Sequence, residues 1–354
     1  MKIGITADLH LDSEKKHPER FHAAENIFQQ CVNLGIQHLI VAGDLFNAEN
    51  QNYAQFDKLV SKPSYKNLQL WIIPGNHDTG LKNASLTAGN ATVFDQPEIH
   101  RFSDLMSLPF LMVPYDKQSS MGEIVTSYSG DLKADEWILI GHGDWVEGLH
   151  EPNPLEPGVY MPLTRSDLER YKPLQVILGH IHKATDTRNI HYPGSPCPLD
   201  INETGKRRFL ILDTETGAIE YSPVNSDILY FNESFIVLPM EDESGYIQKQ
   251  INHRIASWNL SRDDYKRVRV RVKLSGYSTD KRKLLETVKD SFKEFSFFDE
   301  GPDLQNVSDS VDVDRAEIAR RISERIDEMD LSFIEDAPGG NRILLAALQA
   351  IYGD

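Results

Sequence analysis

Cysteine is nearly missing from this chain: its 354 residues include only Cys31 and Cys197. Two distant thiols give neither a disulfide framework nor the C-x-x-C pairs of a structural zinc site. Cys31 falls on the apolar face of an expected helix and reads as a core residue. Long hydrophobic runs are missing too, and none reaches the roughly 20 residues of a membrane-crossing helix. The opening M-K-I-G-I-T-A-D leads straight into an expected strand, so no signal peptide and a reducing, cytoplasmic setting are expected. Positive charge is scarce: 37 Lys and Arg face 54 Asp and Glu, a formal net charge of −17. A surface of that sign repels a phosphate polymer, so contact with nucleic acid would need local basic surface, a partner or metal ions. The rest of the composition suits a chain that buries sizeable cores in two or three domains.

What the chain does have is one design used repeatedly. An apolar run, typical of a strand buried on both faces, ends in residues able to bind a metal. Lys2–Ala7 delivers Asp8 and His10, and His38–Ala42 delivers Gly43 and Asp44. Leu70–Ile73 runs through Pro74 and Gly75 to Asn76, His77 and Asp78. Trp137–Ile140 delivers Gly141 and His142, and Val176–Leu178 delivers Gly179, His180 and His182. Loops past the carboxyl ends of parallel strands are where open α/β sheets hold ligands. Carboxylates, imidazoles and one amide, without thiolate, suit six-coordinate Mn²⁺ or Fe²⁺, and Zn²⁺ less comfortably. Two such ions roughly 3.5–4 Å apart can activate water and neutralise a phosphoryl group. A bridging role falls naturally to Asp44, since a carboxylate has one oxygen for each ion.

Between these strands the spacing predicts helices from Glu19 or Arg20 to Leu34, over Asn52–Val60 and over Leu163–Arg170, with some helix in Thr79–Ala91. Arg208–Asp213 and Ala218–Pro223 read as paired strands, and a domain boundary falls near Asn225–Ile228. Beyond it, Phe231–Pro239 reads as a strand and Gly245–Trp258 as a helix. Lys266–Leu274 alternates Arg267, Arg269, Arg271 and Lys273 with apolar residues, a half-buried strand with one basic face. Lys281–Phe295 reads as a basic helix and Asp299–Val313 as an acidic linker. Asp314–Asp330 carries the stripe Ile318, Ile322, Ile326 and Met329, and after a break at Pro338-Gly339-Gly340 comes an apolar helix, Ile343–Tyr352. These last helices either pack on the body or offer a groove to a partner.

The ordered set D-x-H, G-D, G-N-H-D, G-H and G-H-x-H resembles the calcineurin-like metallophosphoesterase superfamily over about the first 200 residues. Within it, Gly43-Asp44-Leu45-Phe46, the stretch His142–Gly148 and the turn Tyr192-Pro193-Gly194-Ser195 are similar to the SbcD branch, the nuclease subunits of SbcCD repair complexes and their phage relatives. The resemblance implies an α/β metallophosphoesterase sandwich (1–224), a small α+β capping domain (225–298) and a linker with partner-binding helices (299–354). It implies one ion on Asp8, His10, Asp44 and His182 and a second on Asp44, Asn76, His142 and His180, with Mn²⁺ the expected metal. His77 would protonate the leaving 3′ oxygen or stabilise its charge. Asn47 stands where cellular members often carry a His; it can donate a hydrogen bond but has no charge. The basic strand would hold duplex DNA, the C-terminal stripe would dock on an SMC-like ATPase of the SbcC type, and core helices would form a homodimer.

Three functions compete. The first is a metal-dependent DNA exonuclease and endonuclease working with an ATPase in recombination and double-strand-break repair. The second is a phosphoesterase for small or cyclic phosphodiesters or for phosphoproteins, which would need neither the capping domain nor the helical tail. The third is a non-catalytic scaffold, which would have no reason to keep so many polar groups in one pocket.

Overall fold

The computed structural model describes residues 1–48, 51–102, 108–147, 158–309, 315–329 and 340–352. Gly148, residues 310–314, Asp330 and the break at Pro338 and Gly339 lie outside the described residues. The chain divides into two compact units: Met1–Leu199 with Lys206–Asp227, and Asp200–Gly205 with Ile228–Asp354.

The first unit runs β1 (Lys2–Thr6), α1 (Pro18–Asn33), β2 (His38–Ala42), α2 (Tyr53–Val60), β3 (Gln69–Ile73) and β4 (Ala91–Val93). It continues through β5 (Glu98–His100), β6 (Phe110–Met112), α3 (Met121–Tyr128), β7 (Ile138–His142), β8 (Trp145–Val146) and β9 (Leu163–Thr164). Next come α4 (Arg165–Tyr171), β10 (Gln175–Gly179), β11 (Thr185–Thr187), β12 (Ile190–Tyr192), β13 (Arg207–Asp213) and β14 (Ile219–Val224). Two six-stranded sheets result, ordered β14-β13-β1-β2-β3-β4 and β11-β12-β10-β7-β6-β5. Strands β1, β2 and β3 are mutually parallel in one sheet, and β6, β7 and β10 in the other.

The continuous apolar runs are explained by burial on both faces. Ile3, Ile5, Ile40, Ala42 and Ile73 meet Phe110, Ile138, Ile140 and Ile177 in the layer between the sheets. Leu39, Val41, Leu70 and Ile72 point the other way, onto Phe21, Ile27 and Phe28 of α1 and Phe56 of α2. Leu139, Val176 and Leu178 do the same toward Met121 and Val125 of α3. The outcome is a sandwich of helices, two sheets and helices. Local signals set the ends: Asn52 and Thr164 cap α2 and α4 through backbone N–H groups three residues on. Thr79–Ala91 holds only a single short turn, Asn83–Ser85, among its described helical residues.

The second unit contains β15 (Leu229–Val237), α5 (Glu243–Ser257), β16 (Val268–Ser278), α6 (Lys281–Ser291), β17 (Ser296–Phe297), β18 (Asp303–Asp309), α7 (Ala316–Asp327) and α8 (Gly340–Tyr352). Three expectations need correction here. Part of the supposed linker is β18, a strand parallel to β16. It was hidden because only Val307 is fully buried, with Leu304 partly so, leaving almost no apolar period to read. Arg267 is not on the basic strand face: it ends a short turn, Tyr265–Arg267, and its guanidinium pairs with Asp264. The stripe on α7 is divided. Ile322 and Ile326 join Ile236, Leu238 and Leu348 in an apolar cluster, whereas Ile318 is 53% exposed and Met329, which lies past the end of the helix, is 51% exposed. No helix among the described residues is long and apolar enough to cross a membrane.

Where β2, β3 and β5 lie close, His38 and His100 sit among Trp71, Phe94 and Phe102. Trp71 Nε1–H donates to His38 Nδ1 at 3.1 Å, which requires a neutral imidazole. Burial holds both imidazoles below their usual range, with His100 adding to the effect at His38 and Glu98 opposing it at His100. The unfolded chain therefore binds protons that the folded chain excludes. Stability from this pair is complete above about pH 6.5 and is lost as pH falls below it. His100→Phe should flatten the fall in denaturant midpoint between about pH 7 and about pH 5; an unchanged slope would count against the assignment.

Candidate metal centre

The carboxyl ends of β1, β2, β3, β7 and β10 converge on one edge of the sandwich. The loops after β1 and β2 are zipped together by Asp8 N–H to Gly43 O at 3.1 Å, His10 N–H to Asp44 O at 3.0 Å and Leu11 N–H to Leu45 O at 2.9 Å. Within this ladder Asp8, His10 and Asp44 adopt left-handed backbone with φ of 54°, 44° and 49°, and His180 has φ of 93°. Such conformations are costly for residues other than glycine. Here they turn each side chain back over the strand ends. Gly43, at φ 90°, passes so close to His142 that a Cβ would lie 1.9 Å from its Nδ1. At Gly75 a Cβ would lie 2.2 Å from Asp44 Oδ1.

Asp44 is at the middle. Its Oδ1 accepts the His77 N–H at 2.9 Å, and its Oδ2 lies 3.3 Å from His142 Nε2 and 3.5 Å from His10 Nε2. His142 Nδ1–H donates to Ala42 O at 3.0 Å, which fixes the ring and aims Nε2 inward. That Nε2 is 2.8 Å from Asn76 Oδ1, and His180 Nδ1 is 3.2 Å from the same oxygen. On the other side His10 Nε2 and His182 Nε2 are 3.0 Å apart. Two imidazole nitrogens can approach this closely only with a proton or a cation between them. Asp8 Oδ1 accepts the His180 N–H at 2.9 Å, while its Oδ2 is buried with no hydrogen-bond partner. Metal-capable atoms of Asp8, His10 and His182, of Asp8, Asp44 and His142, and of His10, Asp44 and His77 lie within 4.8 Å of one another. A lone buried carboxylate oxygen beside convergent imidazoles is a donor set that fits divalent cations.

All the expected ligands are thus brought together. His77 joins them at the rim, half-buried, its ring edge-on to His10 at 4.8 Å. Asn47 follows in the β2 loop, its N–H donating to Leu11 O at 3.0 Å and its Oδ1 accepting the N–H of Ala48 at 3.1 Å. The basic strand lies in the second unit, where Arg271 pairs with Asp299 at 2.8 Å and covers the Phe298 ring, while Arg269 and Lys273 are exposed.

Several positioning residues were not singled out from sequence. Asp78, fully buried, accepts from Gly75 N–H at 2.6 Å and Phe46 N–H at 3.0 Å, so it ties the β3 loop to the β2 loop. Asp144 accepts the Tyr160 N–H at 2.7 Å. Tyr192 donates its O–H to Gly143 O at 2.9 Å and accepts from Trp145 N–H at 2.8 Å, which joins the Y-P-G-S turn to the His142 loop. Buried Arg207 donates to Ser195 O at 2.6 Å and to the His182 carbonyl, holding the last ligand loop. The G-N-H-D motif, the His142–Gly148 stretch and the Y-P-G-S turn contain three of these residues, Asp78, Asp144 and Tyr192, and that was the available signal.

Crowding sets the electrostatics. Burial pushes Asp8 up to about 6 against the pull of His182 and His142. Burial and the Asp44 charge push Asp78 up to about 7. Burial holds His10 down to about 3, with Asp44 opposing. His142 goes the other way: burial would lower it, but Asp44 and Asp8 lift it to about 9. Asp44 is itself held well below the usual carboxylate range by His142 and His10, despite its burial.

The family model described as calcineurin-like phosphoesterase matches residues 1–184. Exonuclease subunit 1 of Enterobacteria phage T4 is 27% identical over 247 residues, 64% of this chain and 68% of the phage protein. YhaO of Bacillus subtilis (strain 168), an uncharacterized metallophosphoesterase, is 25% identical over 250 residues, 61% of this chain and 58% of YhaO. The chain thus spans less than two thirds of that relative's length. Among solved structures, TT1561 of Thermus thermophilus matches with a TM-score of 0.39 and 13% identity, covering 63% of this chain and 99% of that one.

A cation entering this site must displace protons from His142 and Asp8, since the metal-free protein holds them up to about 9 and about 6. Mn²⁺ affinity should therefore rise with pH from about 6 to about 9, with proton release seen as a buffer-dependent heat in titration calorimetry. A pH-independent affinity with no proton release would contradict this electrostatic account.

Proposed function

Because this chain belongs to the calcineurin-like phosphoesterase family, we propose that it is a metal-dependent DNA nuclease of the SbcD type, the catalytic subunit of a recombination and repair complex. The observation that carries the reading is the convergence of Asp8, His10, Asp44, Asn76, His142, His180 and His182 around Asp44, with His77 at the open rim. The similarity to a phage protein named as an exonuclease subunit supports a nucleic acid as the substrate and a multi-subunit assembly. In this reading Asp8, His10, Asp44 and His182 would hold one divalent ion and Asp44, Asn76, His142 and His180 the other, and the pair (Mn²⁺ in the simplest case) would supply charge neutralisation at the phosphoryl group and lower the pKa of the attacking water.

The chain's own residues do the rest. Asp44 orients His77 through the backbone N–H at 2.9 Å. His77, reachable from solvent, gives a proton to the leaving oxygen or stabilises its charge. Asn47 lacks that capacity and serves at most as a hydrogen-bond donor. Arg269 and Lys273 are the exposed cations of the basic strand for a DNA backbone. Ile318 on α7 and Met329 just past its end are the exposed part of the stripe for an SMC-like ATPase. A cytoplasmic homodimer completes the reading.

A second reading, hydrolysis of small phosphodiesters or phosphoproteins, draws support from the net charge of −17 and from the pairing of Arg267 with Asp264 and Arg271 with Asp299. Cleavage of end-labelled linear and single-stranded DNA in Mn²⁺, with a chelator control, separates the two. Chelator-sensitive DNA cleavage supports the nuclease. Hydrolysis of bis(p-nitrophenyl) phosphate without DNA cleavage supports the second reading. His77→Ala should lower kcat by about 10²–10⁴ with metal content unchanged; wild-type turnover would remove His77 from the mechanism. Ile318→Asp should leave folding and DNA cleavage intact, because the side chain is exposed, yet abolish capture of the ATPase. Undiminished capture would refute the docking assignment.

A further inference from the structure

The open side of the metal centre leads into a cavity of about 1030 Å³. Asn76 and His77 form one wall, and Tyr115 and Tyr160 line it as well. That volume is at the upper end of the roughly 300–1,000 Å³ of small-molecule sites, so it can take much more than a phosphate. We propose that Tyr115 and Tyr160 form an aromatic platform that stacks the base of the nucleotide whose phosphate is attacked. The site then takes a nucleotide freed from its neighbours and its pairing partner. This rests on the nuclease reading above.

Both tyrosines are fixed to the loops that carry the metal-capable residues. Tyr115 N–H donates to Pro74 O at 2.9 Å, directly before the Gly75–Asp78 loop. Tyr160 N–H donates to Asp144 Oδ2 at 2.7 Å and its carbonyl accepts the Asp144 N–H at 2.8 Å, two residues after His142. The Tyr160 ring leans on the His180 imidazole at 4.7 Å and 37°, and the Tyr115 ring meets His142 edge-on at 6.3 Å. The two tyrosine rings are 6.3 Å apart at 38°. That is within the roughly 4.5–7 Å of rings in direct contact, so no base fits between them. Together they present one continuous surface, half-exposed, beside His77.

The charges around the cavity favour a base over more backbone. Asp95 and Asp116 line it, with Lys117 as the cation among its lining residues. Carboxylates repel a second phosphate but leave the neutral face of a base unaffected. Stacking on aromatic side chains tolerates every base, as a nuclease without sequence preference requires. A base within a closed duplex is already stacked on both faces, so it must leave the stack to reach this platform.

The test uses the purified full chain with Mn²⁺ and short single-stranded oligonucleotides. These carry a tetrahydrofuran abasic nucleotide at the 5′ end, at the 3′ end or nowhere, and KM and kcat are measured separately. Wild type should lose about 10-fold or more in kcat/KM when the base is removed from the end it attacks. Tyr160→Ala and Tyr115→Ala should lose a similar factor on the intact oligonucleotide and nothing further on the abasic one. The corresponding Phe variants should behave as wild type, because stacking does not use the hydroxyl. Equal wild-type rates on intact and abasic ends overturn the platform, and this comparison needs no variant to fold. Equal slowing of both substrates by the Ala variants also overturns it, since that marks a structural role. If no oligonucleotide is cut while bis(p-nitrophenyl) phosphate is hydrolysed, the nuclease reading itself fails and the platform with it, a result distinct from the other two.

Discussion

Everything at the candidate site follows from having to bury titratable groups side by side. Asp8, Asp44 and His142 are at most 1% exposed and their polar atoms lie within 4.8 Å of one another. Groups of this kind persist in a protein interior only when paired, protonated or bound to a cation. The surrounding backbone is shaped to hold them there. Four of the residues concerned have positive φ, at a cost on the order of 1–3 kcal/mol each. The compensation is visible in the ladder between the β1 and β2 loops and in Asp78, whose carboxylate accepts backbone N–H groups from two loops at once. Glycine at 43 and 75 is the remaining requirement, because side chains there would occupy the space of His142 and Asp44. Strain, glycines and orphaned carboxylate oxygen are one arrangement viewed from different atoms.

The ligand-bearing loops were legible because each is local: an apolar run buried on both faces, a stop, then metal-capable residues. Strand boundaries moved by only a residue or two, as for Trp137–Ile140 against the observed Ile138–His142. What escaped reading depends on tertiary partners. Arg207 looks like an ordinary charged residue at the start of a strand until its guanidinium is seen beneath the His182 loop. Tyr192 and Asp144 act through backbone groups of other loops, which no spacing reveals. The strand Asp303–Asp309 failed for the opposite reason. With Val307 as its fully buried residue, it has neither the alternation nor the apolar content that marks a strand in isolation. The α7 stripe was correctly periodic, yet periodicity cannot distinguish residues packed within the chain from those left outside. Ile326 and Ile318 share the pattern and have opposite fates.

The charge balance bears on what kind of recognition this chain can support. A protein that holds nucleic acid mainly through Lys and Arg collects its affinity from released counterions. Here the strand with alternating basic residues is partly neutralised, because Arg271 is committed to Asp299 and the Phe298 ring and Arg267 to Asp264. Surface pairs of this sort add little stability, but they remove the cations from the pool available to phosphates. With a net charge of −17, the field of the whole chain repels a polyanion at long range. Beyond the exposed Arg269 and Lys273, the interactions left to the proposed function are short-ranged: coordination of one phosphate at a cation site and contact of apolar or aromatic surface with the group next to it. Candidate groups for both lie at the same edge of the first unit, where the imidazoles end and the tyrosine-lined cavity begins. As the proposed nuclease, a chain built this way would have little grip on duplex backbone by itself. It would depend on a second subunit to deliver the DNA and on its own pocket to select the nucleotide, which is the division of labour that the proposed two-component assembly supplies.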